Sequence, residues 1–383
     1  MKVYLDNGAT TMVDKEVAKA IRAYLTGKFG NASSLHRFGQ EAKSALEKGR
    51  EVIAKRINAE PEEIIFTSGG TESDNLALKG VAYALRDKGN HIITTRIEHH
   101  AVERTCRFLE KEGFKVTYLD VDKDGFVDME QLRKSITDKT MLVSIIHANN
   151  EIGTIQDIGK IGEICREKGV YFHTDAVQSF TKVPIDVKEQ GITLASFSAH
   201  KIHGPKGIGA LYVKKGTRIR PLMHGGSQEN DLRPGTENTA GIMGFAKAAE
   251  MAGQEHCRKM EELRDYFIEK VEKEIPEVKL NGARKKRLCN NINITFKCIE
   301  GESLLLKLDD RGIAVSTGSA CSSRELKPSH VLIAIGVPPA MAHGSIRFSL
   351  SRFTTKEELD YTVKNLKEVV AELRKISPLW EGD

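Results

Sequence analysis

A lysine stands in the stretch Phe197-Ser198-Ala199-His200-Lys201-Ile202-His203-Gly204-Pro205, between two apolar runs. The first run ends in small hydroxyl residues, a Gly/Pro turn follows, and the second run is Gly209-Ala210-Leu211-Tyr212-Val213. Most lysines are solvated surface charges. One fixed between two core strands is partly desolvated, which lowers its amine pKa and lets it form a Schiff base with a carbonyl compound. Lys206, five residues on, is the second candidate and reads as a turn residue. What else points at Lys201 decides the chemistry.

The elements that must position it alternate regularly. After an opening strand, Val3-Tyr4-Leu5, comes a helix with Asp14 as its N-cap, a polar loop over 30–39 and a second helix over 39–57. The pattern predicts strands over 63–67, 91–95, 115–119, 141–146 and 170–174, with helices after 70 and over 101–112, 128–136 and 158–168. Strands alternating with helices of this length imply an α/β fold with a mainly parallel, doubly wound sheet, whose ligands sit beyond the carboxyl ends of the strands. That rule selects five polar sites: Gly69-Gly70-Thr71, Glu98-His99-His100, Asn149-Asn150-Glu151, Asp175 with Gln178, and Ser198-His200-Lys201. A long glycine-rich loop over 223–238 and one long helix over 239–274 lead into a second region of mixed strands and helices.

These residues describe a carbonyl compound that carries a phosphate and a basic ring nitrogen, and pyridoxal phosphate fits. The strand–Gly69-Gly70–helix junction can hold an anion on free N–H groups at a helix N-terminus, although Thr71 or Ser73 as a simple cap explains the same turn. Asp175 could pair with the pyridinium nitrogen and keep the ring an electron sink, or cap a helix. Gln178 could donate to the phenolic oxygen and His99 could stack on the ring, while Thr71, Ser198 and His200 supply donors for the phosphate.

Composition narrows the alternatives. A chain of 383 residues fits two domains. The net charge of +5, from 58 basic and 53 acidic residues, is too even to argue for nucleic-acid binding, and Arg284-Lys285-Lys286-Arg287 reads as a solvated loop. No apolar run reaches the length of a membrane span and the N-terminus lacks a signal-peptide core, so the expected location is the cytoplasm. The six cysteines, at 106, 165, 257, 289, 298 and 321, include no CxxC pair, which suits reduced thiols and neither a disulfide framework nor a metal site.

The lysine segment resembles that of class V, fold-type I pyridoxal phosphate enzymes. Tyr4-Leu-Asp-Asn-Gly-Ala-Thr-Thr11, Gly30-Asn-Ala-Ser-Ser-Leu-His36, Thr67-Ser-Gly-Gly-Thr-Glu72, His147-Ala-Asn-Asn-Glu-Ile-Gly153, His173-Thr-Asp-Ala-Val-Gln178 and Arg233-Pro-Gly-Thr-Glu-Asn238 resemble cysteine desulfurases of the NifS and IscS type, in order along essentially the whole chain. The resemblance implies a large cofactor-binding domain over 14–255 and a small α+β domain built from 1–13 and 256–383. It implies that Lys201 carries the cofactor, held by Gly70, Thr71, His99, Asp175, Gln178, Ser198 and His200. It also implies that Thr236 reaches the phosphate of a neighbouring subunit, making a homodimer with shared sites, and that Asn31, Asn150 and Arg347 bind the substrate. A planar guanidinium such as that of Arg347 grips a carboxylate in two places. Gly8 and Gly70 stand where many members have alanine, and His203 where tyrosine is common.

Cys321 lies among small polar residues in Ser316-Thr-Gly-Ser-Ala-Cys321-Ser-Ser-Arg324, unlike a core cysteine. The segment resembles the sulfur-accepting loop of group I desulfurases. The implied catalytic residues are Lys201, His99 and Cys321: Lys201 moves the α proton of bound L-cysteine, the Cys321 thiolate takes its sulfur as a persulfide, and alanine leaves. An iron–sulfur scaffold protein or another sulfur acceptor is the implied partner, with transfer-RNA thiolation a further use of the sulfur. In the family the region beyond Trp380 helps dock the scaffold, and that tail is short here. The competing readings are a selenocysteine lyase, a class V aminotransferase, which would not need Cys321, and a sulfur-carrier docking platform with weak catalysis.

Overall fold

Runs such as Ile64-Ile65-Phe66 and Met141-Leu142-Val143 are apolar at every position, so both of their faces must be covered. The computed structural model describes residues 1–317 and 328–380. Its strands are β1 (Val3–Tyr4), β2 (Ile64–Thr67), β3 (His91–Thr95), β4 (Lys115–Leu119), β5 (Thr140–Ser144), β6 (Tyr171–Asp175), β7 (Leu194–Ser198), β8 (Gly209–Val213), β9 (Val278–Leu280), β10 (Asn291–Phe296), β11 (Ile313–Ala314), β12 (Ser316–Thr317) and β13 (Ser345–Ser349). Seven of them form one sheet in the order β2-β8-β7-β6-β5-β3-β4, parallel except that β8 runs against both neighbours. Alternate residues face opposite cores, as the two-residue period requires. Ile64, Phe66, Ala195 and Ala210 join one hydrophobic cluster, whereas Ile65, Leu194 and Leu211 join the other, under the helices Gly70–Ala84 and His100–Lys111. The fold is therefore the expected α/β doubly wound sheet.

Two smaller sheets complete it. The antiparallel sheet β12-β13-β10-β9 shares a third cluster with Phe267, Ile268, Val271 and the helix Lys356–Ile376. The opening strand β1 lies parallel to β11, with Val3 opposite Ile313, and Asp6 bridges to Ser349. The first residues of the chain are thus tied to its last sheet.

Some element bounds differ from the sequence reading, each for a local reason. The helix expected over 239–274 is two helices, Thr239–Met251 and Gln254–Glu274, with Ala252 and Gly253 extended between them. The Arg56 guanidinium donates to the carbonyls of Ala249, Glu250 and Ala252, satisfying the end of the first helix and fixing its stop. The strand expected to reach residue 146 ends at Ser144, because the Ile146 N–H turns to the Glu98 carboxyl at 3.0 Å. The edge strand β9 and the pairing of β1 carry too few residues for a periodic signal.

Candidate active site

The carboxyl ends of β2, β3, β5, β6 and β7 converge on a cavity of about 270 Å³. Of the sequence-predicted residues, Gly70, Thr71, His99, Asn150, Asp175, Gln178, Ser198, His200, Lys201 and Arg347 line it. Asn31 and Thr236 are exposed loop residues that do not line this chain's cavity. Cys321 lies outside the described residues.

Lys201 ends a single helical turn, Ala199–Lys201, directly after β7. Its Nζ donates to the carbonyl oxygens of Gly8 (2.6 Å) and Ala9 (2.7 Å). Gln178 Nε2 donates to the same Gly8 oxygen at 2.9 Å. Gly8 is held in turn by its N–H on Ser349 Oγ at 2.6 Å. A methyl group on Gly8 would meet Ser349 Oγ at 3.0 Å and Arg347 Cζ at 3.2 Å, so glycine here lets the backbone approach the site closely.

The helix Gly70–Ala84 begins after Gly69 with no side-chain cap. Neither Thr71 nor Ser73 takes that part: the Ser73 hydroxyl is bonded to Thr67 Oγ1 at 2.8 Å, and Thr71 is exposed. The N-terminus of a helix of this length attracts an anion through its dipole and its unbonded N–H groups. Ser198 and His200 stand beside it on the cavity wall. Burial, and next the Lys201 charge, push His200 down to about 4, so its ring is neutral near pH 7.

Asp175 closes β6 and is buried, with Oδ1 accepting the Val177 N–H at 2.9 Å. Burial raises it to about 6, against the pull of that N–H and of Lys201. Asp74, fully buried one turn into the neighbouring helix, is raised well above the carboxylate range by burial and by Asp175, and its Oδ1 has no hydrogen-bond partner. Polar atoms of Asp74, His99 and Asp175 lie within 4.8 Å of one another. Two carboxyls crowded into an apolar floor gain most from a cation set between them. His99 caps the helix His100–Lys111, its Nδ1 accepting the Ala101 N–H at 3.1 Å, which places the proton of the neutral ring on Nε2. Burial, then the Lys201 charge, hold that ring neutral by lowering it to about 4.

Arg347, in β13 and 4 % exposed, donates from Nη2 to Asp6 Oδ1 at 3.0 Å and from Nη1 to the Asn150 carbonyl at 3.0 Å. Its Nε is buried without a partner, a donor suited to an incoming carboxylate. Asp6, Asp74 and His330 were not singled out from the sequence, although all three touch the site or its residues. Asp74 follows Gly70 by four residues, so helical spacing could have found it. Glu98 and His100 stood in the strand-end set without a task.

A phosphorylated pyridine aldehyde fits this donor set. The uncapped helix end matches its phosphate, the unpaired carboxyl floor its protonated ring nitrogen, and the Lys201 amine its carbonyl carbon. The comparisons with known proteins agree. The sequence profile described as Aminotransferase class-V matches residues 3–362. The "Cysteine desulfurase IscS" of Dictyoglomus turgidum is 58% identical over 380 residues, covering 98% of this chain and 96% of that protein. A solved structure described as "NIFS-LIKE PROTEIN" superposes with a TM-score of 0.92 at 42% identity, covering 97% of this chain and all of the other. Another, "SspA in complex with cysteine", gives 0.84 at 38% identity, with 92% and 100% covered. The chain belongs to the class-V aminotransferase family, among its pyridoxal phosphate-dependent cysteine desulfurases of the NifS and IscS type.

Proposed function

We propose that this cavity converts L-cysteine to L-alanine and passes the sulfur to Cys321. The observation that carries the reading is the joint placement, in one cavity, of an amine at Lys201, a buried carboxyl pair at Asp74 and Asp175, and a guanidinium with an unused Nε at Arg347. Bound there, pyridoxal phosphate supplies an electron sink that acidifies the substrate's α carbon and opens its sulfur to a nucleophile. Asp175 would hold the ring nitrogen protonated, His99 would meet the ring and Gln178 would donate to its phenolic oxygen, all three lining the cavity. Gly70, Thr71, Ser198 and His200 orient the phosphate. Arg347 and Asn150 hold the substrate carboxylate, with Asn31 completing the substrate contacts. The Lys201 amine takes the α proton and returns it.

The Cys321 thiolate then attacks the substrate sulfur. An S–S bond forms as the C–S bond breaks, the electron pair stays with the amino-acid fragment, and a proton makes it alanine. No outside oxidant is required. The persulfide serves iron–sulfur cluster assembly, passing to a scaffold protein or another acceptor in the cytoplasm. Thr236, exposed and away from its own chain's cavity, contacts the phosphate across a homodimer. The division into a large domain over 14–255 and a small one over 1–13 and 256–383 is supported by the separate hydrophobic clusters around the seven-stranded and four-stranded sheets. No helix among the described residues is long and apolar enough to cross a membrane.

The test is the absorbance spectrum of the purified protein with and without L-cysteine, with alanine and sulfide measured together. Lys201→Ala is expected to lack the yellow lysine-linked band. Sulfide release by Cys321→Ser at the unmodified rate would overturn the persulfide assignment.

A further inference from the structure

A second cavity, of about 40 Å³, adjoins Lys201 and has no part in the reaction above. Lys182, His256, Cys257, Met260 and Asn290 are among the residues that line it. Cys257, on the helix Gln254–Glu274, and Cys289 pack with Met260 as one buried cluster, and the Cys257 thiol donates to the Thr181 carbonyl at 3.8 Å. Lys182 lines the same cavity as Cys257, and its Nζ donates to the carbonyl oxygens of Gln178 (2.9 Å) and Lys201 (3.3 Å). Asn290, 5 % exposed, carries an Oδ1 with no hydrogen-bond partner.

A cysteine beside a cation is held toward the thiolate, and a second thiol within reach resolves it once it is oxidised. The neighbouring Cys289 thiol and, against burial, the Lys182 charge lower Cys257 below the usual thiol range. Burial does the opposite at Cys106 and Cys165, raising Cys165 to about 12. The cavity has room for one or two molecules the size of water, which excludes bulky disulfide reagents and admits hydrogen peroxide.

We propose that Cys257 and Cys289 form a peroxide-reactive dithiol, with Lys182 stabilising the attacking Cys257 thiolate and Cys289 closing the disulfide. The Cys257 sulfur bonds to one peroxide oxygen as the O–O bond breaks, giving a sulfenic acid and a hydroxide that is protonated to water. Cys289 sulfur then bonds to Cys257 sulfur as the S–O bond breaks, and the hydroxide leaves with the Cys289 proton as a second water. Two thiols lose two electrons and one peroxide gains them. Because Lys182 also holds the backbone of Lys201 and Gln178, the state of this pair reaches the main cavity through one side chain.

The test uses the cofactor-loaded, full-length chain carrying Cys321→Ser, so that Cys321 does not compete. After hydrogen peroxide at pH 7 and alkylation, mass mapping without reduction should find a Cys257–Cys289 linked peptide that dithiothreitol removes. Adding Cys289→Ser should trap the sulfenic acid as a dimedone adduct on Cys257, whereas Cys257→Ser should leave Cys289 unmodified. Lys182→Gln should slow adduct formation by on the order of tenfold, with circular dichroism checking the fold. Full alkylation of both thiols after peroxide, or oxidation of Cys106 or Cys165 before Cys257, would overturn the proposal even if the lysine variant did not fold.

Discussion

Replacing Glu98 by glutamine should stabilise the protein, and more so as the pH rises. Glu98 is 1 % exposed. Its Oε1 accepts from Thr95 Oγ1 at 2.7 Å and from the Ile146 N–H at 3.0 Å, and its Oε2 has no partner. Burial, against those two donors, raises its pKa from 4.5 to about 8. The native chain therefore keeps a proton there that the unfolded chain gives up, and stability falls as pH climbs from 4.5 to 8. At about 1.4 kcal/mol per pH unit, the loss from this group is about 3 kcal/mol by pH 7 and about 5 kcal/mol above pH 8. Glutamine keeps an oxygen for both donors and has nothing to ionise. Urea unfolding of both chains at pH 5, 7 and 9 should show a gap of about 1 kcal/mol at the lowest pH that widens to several at the highest. A gap that stays constant with pH, or a variant weaker than its parent at pH 9, would refute the reasoning.

Three further outcomes follow from the geometry. Arg347→Lys removes the planar fork that reaches Asp6 and Asn150, and steady-state kinetics should show KM for L-cysteine raised by about 10- to 100-fold; an unchanged KM counts against substrate binding at Arg347. Asp14→Ala loses both the cap on the Glu16 N–H and the ion pair with Arg352, an expected cost of about 2 kcal/mol in denaturant, and Asp14→Asn should recover the cap and about half of that. In Gly39→Ala the new methyl would lie 2.2 Å from the Ser34 carbonyl oxygen, so this loop must shift, at a cost of about 1–3 kcal/mol read by thermal melting.

The large sheet was legible because each of its central strands is an apolar run closed by polar residues, and the parallel-sheet rule then gathers those polar ends. Lys201, Asp175, His99 and Ser198 were found that way, before any side chain was placed. Long-range partners were not legible. Nothing in Arg56 distinguishes a guanidinium that stops a helix two hundred residues away, and nothing in Asp6 announces Arg347. Asp175 and His99 each accept a backbone N–H, of a turn and of a helix start, and also line the cavity, so a local backbone bond does not exclude a place in the site. Asn31 and Thr236 sit in exposed irregular loops, so periodicity had no purchase on them.

The carbonyls that receive the Lys201 amine belong to residues 8 and 9, and Ser349, 341 positions further on, holds Gly8 in place. During synthesis the lysine and the seven-stranded sheet leave the ribosome long before that last strand does. Contacts spanning so much of the chain form late, after loop closure has been overcome. A nascent chain halted near residue 250 could build the sheet yet leave Lys201 without its native surroundings. Capture of the cofactor in its final geometry therefore waits on β13, whose Ser349 fixes the Gly8 backbone that receives the lysine.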